Sequence, residues 1–186
     1  PEKLQEFSES MIDQIDTLSN IAEAFSRFAS MPELRLKLFP ARDLIKRVAA
    51  LYPEDNVEFE AEHDDLQIYA DPDQLIRVMN NLINNGLQAV PKERQGNVKV
   101  ALSRKADQAL IKVCDNGSGI PEAQRDKIFE PRFTTKSRGM GLGLALVKRI
   151  VDGFSGSIEF ETKLGEGTCF KVLLPLSAQE KEPEVS

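Results

Sequence analysis

Arg77, Asn81, Asn85 and Gln88 recur at spacings of 4, 4 and 3, which on a helix places them on one stripe. Leu75, Val78, Leu82, Ile83 and Val90 make up the apolar side of the same helix. Exposed helix faces normally carry Glu and Lys, which are better helix formers than Asn, so a repeated Asn suggests amide oxygens aimed at something specific. A hard cation such as Mg²⁺ takes oxygen ligands and keeps several waters beside one or two protein groups and phosphate oxygens. On spacing alone, a solvated face that carries Asn by accident fits equally well. Asp115 is a second candidate, at the end of an apolar run and followed by Asn116-Gly117-Ser118-Gly119. A carboxylate at a strand end can accept a hydrogen bond from an exocyclic amine, while glycines let a ligand approach the backbone. In isolation, a plain Asp-Asn-Gly turn accounts for this segment better. The third candidate is Gly139-Met140-Gly141-Leu142-Gly143, which opens a helical pattern running to Val151. Free N–H groups and the dipole at a helix N-terminus favour phosphate, and Lys136 with Thr134 and Thr135 adds a cation and hydroxyls just upstream. One Gly-x-Gly-x-Gly is a weak signal by itself.

The elements that must hold these groups follow from period and punctuation. Asp71-Pro72-Asp73-Gln74 is a helix start, with an acidic N-cap, proline at the first helical position and Gln at the capping-box position. That helix stops at Pro91. Upstream, residues 41–51 read as a short helix ended by Pro53, and brief strands at 57–60 and 66–70 flank the acidic turn Glu62-His63-Asp64-Asp65. Strands at 97–104 and 109–114 precede the glycine loop (115–121) and a helical stretch ending near Phe129. Strands at 157–162 and 168–174, joined at Gly165-Glu166-Gly167, complete the pattern. Strands and helices mix without βαβ alternation. The expected fold is therefore α+β, a two-layer α/β sandwich with a mixed, mostly antiparallel sheet covered by helices.

Ahead of it, residues 3–30 repeat every seven positions, with Leu4, Met11, Leu18 and Phe25 on one seam and Phe7, Gln14, Ile21 and Phe28 on the other. Only Gln14 breaks the pattern, which predicts one long bundle-type helix. Pro32 ends it. The expected division is a helix over 1–31, a linker over 32–40, a domain over 41–176 and a frayed polar tail over 177–186.

Composition narrows the function classes. With 41% hydrophobic and 29% charged residues, the 186-residue chain can bury a core and is no disordered tail. No apolar run approaches the roughly 20 residues of a membrane helix, so no membrane contact is expected of this piece. The balance of 24 Lys+Arg against 30 Asp+Glu gives a net charge of −6, which argues against broad nucleic-acid binding. Cys114 and Cys169 sit in apolar strand-like runs without metal spacing and read as reduced core thiols in a cytoplasmic compartment. The chain begins at Pro1 with no signal-peptide pattern, and reads as cut from something longer. A P-loop is excluded because Lys136-Ser137 lacks the preceding glycines, and a dinucleotide-binding turn because the Gly139 cluster follows a polar segment rather than a strand. Nor is there a Gly-x-Ser-x-Gly or a Cys/His constellation for hydrolysis.

Taken in order, these parts resemble the catalytic and ATP-binding domain of sensor histidine kinases, in the gyrase–chaperone–kinase–mismatch-repair ATPase superfamily. Asn81-Leu82-Ile83-Asn84-Asn85-Gly86 resembles its N box, and Asp115-Asn116-Gly117-Ser118-Gly119-Ile120-Pro121 its first glycine box. Ile128-Phe129-Glu130-Pro131-Arg132-Phe133-Thr134-Thr135-Lys136 resembles the F box, and Gly139-Met140-Gly141-Leu142-Gly143-Leu144-Ala145 the second glycine box. Gly165-Glu166-Gly167-Thr168-Cys169-Phe170, with Leu174-Pro175, matches the closing strand pair. The helix over 3–30 resembles the second helix of the dimerisation hairpin. The run Phe28-Ala29-Ser30-Met31-Pro32 and the later Leu51-Tyr52 look most like the nitrogen-regulation type.

The resemblance implies ATP and Mg²⁺ as cofactors and assigns roles by position. Asp115 would meet the adenine amine, Gly117 and Gly119 would shape that pocket, and Thr168 would line it. Asn85 would be the Mg²⁺ ligand and Asn81 a phosphate or metal-water contact. Lys136 and the backbone at Gly141, Leu142, Gly143 and Leu144 would hold the phosphates under a short lid (130–140). Asn81, Asn85 and Lys136 form the implied catalytic set. Gly86 departs from the usual Ala, Arg132 from the usual Phe or Tyr, and Gln88 from the Lys of some relatives. The implied activity is transfer of the ATP γ-phosphate to a histidine on a dimerisation helix that this chain lacks, then to a response-regulator aspartate. The full-length protein would be a homodimer through the N-terminal helix, cytoplasmic in this portion and open to anchoring in the bacterial inner membrane. His63 lies in an acidic turn rather than on a bundle helix and reads as a surface residue. Three alternatives stand beside this one. An ATP-hydrolysing switch would need a Glu to activate water, where Arg77 stands. A protein-serine kinase acting on a sigma-factor regulator fits the heptad helix less well. A non-catalytic dimerising module fits the intact boxes least, and a nucleotide titration separates it.

Overall fold

The computed structural model describes Met11 and residues 33–62, 66–131 and 141–176. The heptad helix expected over 3–30 (apart from Met11, which is helical), His63, Lys136 and the tail 177–186 lie outside the described residues. Chain order runs β1 (Lys37–Pro40), α1 (Ala41–Ala49), β2 (Val57–Ala61), β3 (Gln67–Ala70), α2 (Pro72–Ala89), β4 (Val98–Lys105) and β5 (Gln108–Asp115). A short 3-10 turn (Glu122–Lys127), α3 (Gly143–Gly153), β6 (Ser157–Lys163) and β7 (Gly167–Pro175) follow.

Five strands form one sheet in the order β2-β4-β5-β7-β6, with β2 parallel to β4 and every other pair antiparallel. Alternation along the strands assigns the two faces. Val98, Val100 and Leu102 of β4, Ile111 and Val113 of β5, and Phe170, Val172 and Leu174 of β7 point inward and are buried. The helix layer meets them with Leu75, Val78, Met79, Leu82 and Ile83 of α2 and Val147, Ile150 and Val151 of α3, all without exposed surface. Burying each such side chain stabilises the fold by roughly 1.5–3 kcal/mol relative to leaving it wet. The expected two-layer sandwich with a mixed, mostly antiparallel sheet is what forms. No helix among the described residues is long and apolar enough to cross a membrane.

Two expectations need amending. Residues 37–40, read as part of a connector, form β1 and pair with β3 in the register Lys37↔Ala70, Leu38↔Tyr69. Four residues ending in proline carry too little alternation to announce a strand, which exists only because β3 offers it a partner. The Asp71 N-cap joins the two: its Oδ1 accepts from the Asp73 and Gln74 N–H groups, as capping predicts, and its Oδ2 accepts from Arg35 N at 2.8 Å. The second amendment concerns the cysteines. Rather than reduced core thiols, Cys114 and Cys169 are joined in a disulfide, half-buried on the face of the sheet away from the helices. They are 55 residues apart in sequence, and only the antiparallel register of β5 and β7 sets them directly opposite.

Candidate nucleotide-binding site

The Asn stripe of α2 lies along the edge where α3 begins. The Asn81 side-chain nitrogen donates to the Arg77 carbonyl at 2.8 Å, which commits the amide group's orientation and leaves Oδ1 as the outward acceptor. Gly143, the first residue of α3, packs against that oxygen: a Cβ there would stand 2.8 Å from Asn81 Oδ1 and 3.9 Å from Asn85 Nδ2. Only glycine lets the second glycine cluster come this close to the stripe. Among the described residues no side-chain cap is made at the N-terminus of α3, whose N-cap position is the half-buried Leu142. Backbone N–H groups at such an uncapped end carry the partial positive charge that suits phosphate. Gly143, with which α3 opens, is thus brought beside Asn81 and Asn85. Arg77 is engaged with Gln74, its Nη1 donating to Oε1 at 3.2 Å. It is a cation on the stripe, without a lone pair for activating water.

Asp115 ends β5 on the helix-facing side of the sheet. Its Oδ1 accepts from the Gly117 N–H at 2.8 Å and from the Thr168 N–H at 3.2 Å. The loop that follows is tied at both ends: Ser118 N donates to the Ala89 carbonyl at the end of α2, and Gly165 N donates to the Ser118 carbonyl. Asn116 accepts from Asn97 N at 2.9 Å and donates to the Gln95 carbonyl at 2.9 Å, closing the outer wall. Gly119 adopts φ +71°, and a Cβ there would come within 2.4 Å of the Lys163 carbonyl. The loop is thus bonded to three separate elements. Thr168 is buried, with 6% of its surface exposed, one register step past the Cys114–Cys169 pair.

Of the F box, Ile128 is buried and Phe129 meets Phe160 edge-on with ring centroids 6.0 Å apart. Gly86 lies under Asp115: an added Cβ would be 3.0 Å from both Asp115 Cβ and Val98 Cγ2. Asn116, quoted as part of the first glycine box but given no role, belongs to the wall, and so does Thr162, which carries no motif at all. Strand register, rather than spacing, places Thr162 opposite Thr168.

Residues 70–178, more than half of the chain, match the family model described as histidine kinase-, DNA gyrase B- and HSP90-like ATPase. The sensor histidine kinase ZraS of Escherichia coli (strain K12) is 33% identical over 180 residues, covering 94% of this chain and 38% of its own length. The sensory histidine kinase/phosphatase NtrB of Azospirillum brasilense is 34% identical over 179 residues, covering 88% of this chain and 44% of its own. The chain thus spans about two fifths of the length of the curated relatives it matches. Among solved structures, the catalytic domain of histidine kinase ThkA superposes with a TM-score of 0.68 at 30% identity, covering 76% of this chain and 96% of that one. ThkA in complex with the response regulator TrrA gives a TM-score of 0.73 at 26% identity, covering 97% of this chain and 54% of that one. Fold, glycine boxes and matched family agree: the chain belongs to the histidine kinase-, DNA gyrase B- and HSP90-like ATPases, as an ATP-binding catalytic domain of the histidine-kinase type.

Proposed function

We propose that this domain binds ATP with Mg²⁺ and serves as the kinase module of a sensor histidine kinase, passing the γ-phosphoryl group to a histidine on a dimerisation helix. The observation that carries this reading is the joining of Gly143 to the Asn81 amide, which sets an uncapped helix N-terminus beside an oxygen-bearing stripe. At the other end of the site, Asp115 is held as an acceptor by two backbone N–H groups and suits the adenine amine. Asn85, with Asn81 beside it, would hold the cation. Among the described residues no cluster of three or more His, Cys, Asp or Glu offers a protein cage, which suits an ion shared between amide oxygens and phosphates. When bound, Mg²⁺ neutralises charge on the phosphate oxygens. Lys136, the amides at Gly141, Leu142, Gly143 and Leu144, and Gly117, Gly119 and Thr168 take the phosphate-holding and pocket-shaping roles given above.

Catalysis on this reading is positioning. The chain orients ATP by its base and phosphates, and an imidazole nitrogen from another domain takes the phosphoryl group as ADP departs. Arg77 in place of a carboxylate favours transfer to protein over hydrolysis. The onward acceptor is a response-regulator aspartate. The intact protein is proposed to be a dimer through the heptad helix, with this portion in the cytoplasm and without membrane contact of its own.

Acid-labile labelling tests the proposal. With ATP and Mg²⁺ the 186-residue chain alone should take up no stable phosphate. Mixed with a dimerisation hairpin carrying the histidine, it should label that histidine while releasing free phosphate slowly. His63→Ala should change neither result. Label on His63, or fast hydrolysis with an unlabelled hairpin, would overturn this reading and move the domain to one of the alternative classes.

A further inference from the structure

Thr162 sits near the end of β6, half-buried and directly opposite Thr168 in the register of β6 and β7. Its hydroxyl oxygen has three neighbours. Ile120 N, in the glycine loop, donates to it at 2.9 Å. The Gly167 carbonyl lies 3.1 Å away and the Thr168 hydroxyl 3.0 Å away. A hydroxyl has one proton to give and two lone pairs to offer. A carbonyl can only accept, so the single proton of Thr162 goes to Gly167. Both lone pairs are then filled, one by the Ile120 N–H and the other by a proton that must come from Thr168. No other assignment satisfies all three bonds.

The consequence lies one residue away. With its proton committed to Thr162, the Thr168 hydroxyl is left presenting only lone pairs. The Thr168 backbone N–H meanwhile donates to Asp115 Oδ1 at 3.2 Å. From this geometry we infer that Thr162 is a positioning residue for base recognition, turning the Thr168 hydroxyl into a second acceptor beside Asp115 and pinning the glycine loop to β7. Two acceptors side by side suit a purine bearing a 6-amino group and reject one bearing a 6-oxo group. The specificity assigned is thus for adenine over hypoxanthine or guanine bases. It rests on the reading of Asp115 as the base-contacting carboxylate.

Calorimetric titration of the chain with ADP and with inosine diphosphate, which differ at that 6-position, separates the two claims. The unsubstituted chain should prefer ADP by at least about tenfold, the worth of one well-placed buried hydrogen bond. Thr162→Val keeps the β-branched shape but loses the hydroxyl, and should erase most of that preference by weakening ADP while leaving inosine diphosphate nearly unchanged. Thr162→Ser should restore it. If the valine variant melts below the assay temperature, Thr162→Ala supplies the same comparison with less bulk. An undiminished ADP preference in a folded variant without the hydroxyl overturns the assignment, and so does an equal loss for both nucleotides. No preference in the unsubstituted chain overturns the Asp115 reading instead.

Discussion

Two neighbouring rows of residues cross the same strands on opposite faces of the sheet. The inner row runs Val98, Asp115, Thr168, Thr162, and the outer row runs Glu58, Lys99, Cys114, Cys169, Glu161. They are one residue apart in every strand they share. In the inner row, under the helices, polar groups bond to backbone N–H and carbonyl groups and to each other, leaving acceptors in fixed directions. The outer row is tied by a disulfide and by ion pairs, exposed Glu58 with exposed Lys99 and exposed Glu161 with half-buried Lys171. Because side chains alternate along a strand, one stretch of sequence can place recognition on one face and mechanical tying on the other.

The largest expected effect comes from cutting the outer tie. A disulfide closing a loop of 55 residues stabilises the fold by about 4 kcal/mol in the chain-entropy account. Urea denaturation with and without reductant, and of the Cys114→Ser/Cys169→Ser chain, should show a lower midpoint by that measure. ADP affinity should change far less than stability, since the β5–β7 ladder keeps the inner row in register. A collapse of nucleotide binding on reduction would show that the two rows are not separable.

The inner row is broken by Asp115→Asn. Replacing the acceptor proposed to face the adenine amine should cost on the order of 1–3 kcal/mol, about ten- to hundredfold in ADP affinity, with or without Mg²⁺. Asn85→Ala should give a comparable loss only when Mg²⁺ is present, because its proposed role is toward the cation. Calorimetry in Mg²⁺ and in chelator distinguishes them. Unchanged affinity in both variants would remove the site assignment altogether.

The smallest effect belongs to the outer carboxylates. Hydrogen bonding and charge from Lys171 hold Glu161 below the ordinary carboxylate range, and a hydrogen bond from Asn97, then the charge of Lys99, does so for Glu58. A carboxyl whose folded value is depressed contributes stability above its unfolded value and loses it as pH falls through the folded one. Both side chains are exposed, so Glu161→Gln should only slightly flatten the acid limb of a stability–pH curve. A change comparable to that of the disulfide would mean that Glu161 is more deeply embedded than its exposure indicates.

Much of this was legible in the residues. Proline, Asp71 and the 3.6-residue period mark α2 to within a residue at its end, and local spacing sets Asn81 and Asn85 on one stripe and a glycine cluster at the head of α3, while the resemblance supplies their roles. Local physics suffices there, since a helix face and a helix N-terminus are made by neighbours in sequence. What stayed hidden depends on partners far along the chain. β1 needs β3, the disulfide needs the β5–β7 register, and Thr162 meets Thr168, which in turn meets Asp115, across two strand pairings. Cys114 and Cys169 were assigned to the core because their strands are apolar, but which face a strand residue occupies is settled by what covers the sheet. The types and spacing of residues thus set the helix-borne half of the proposed site. The orientation of hydroxyls and carboxylates in the sheet-borne half came from register, a property of strands paired in space and of no strand alone.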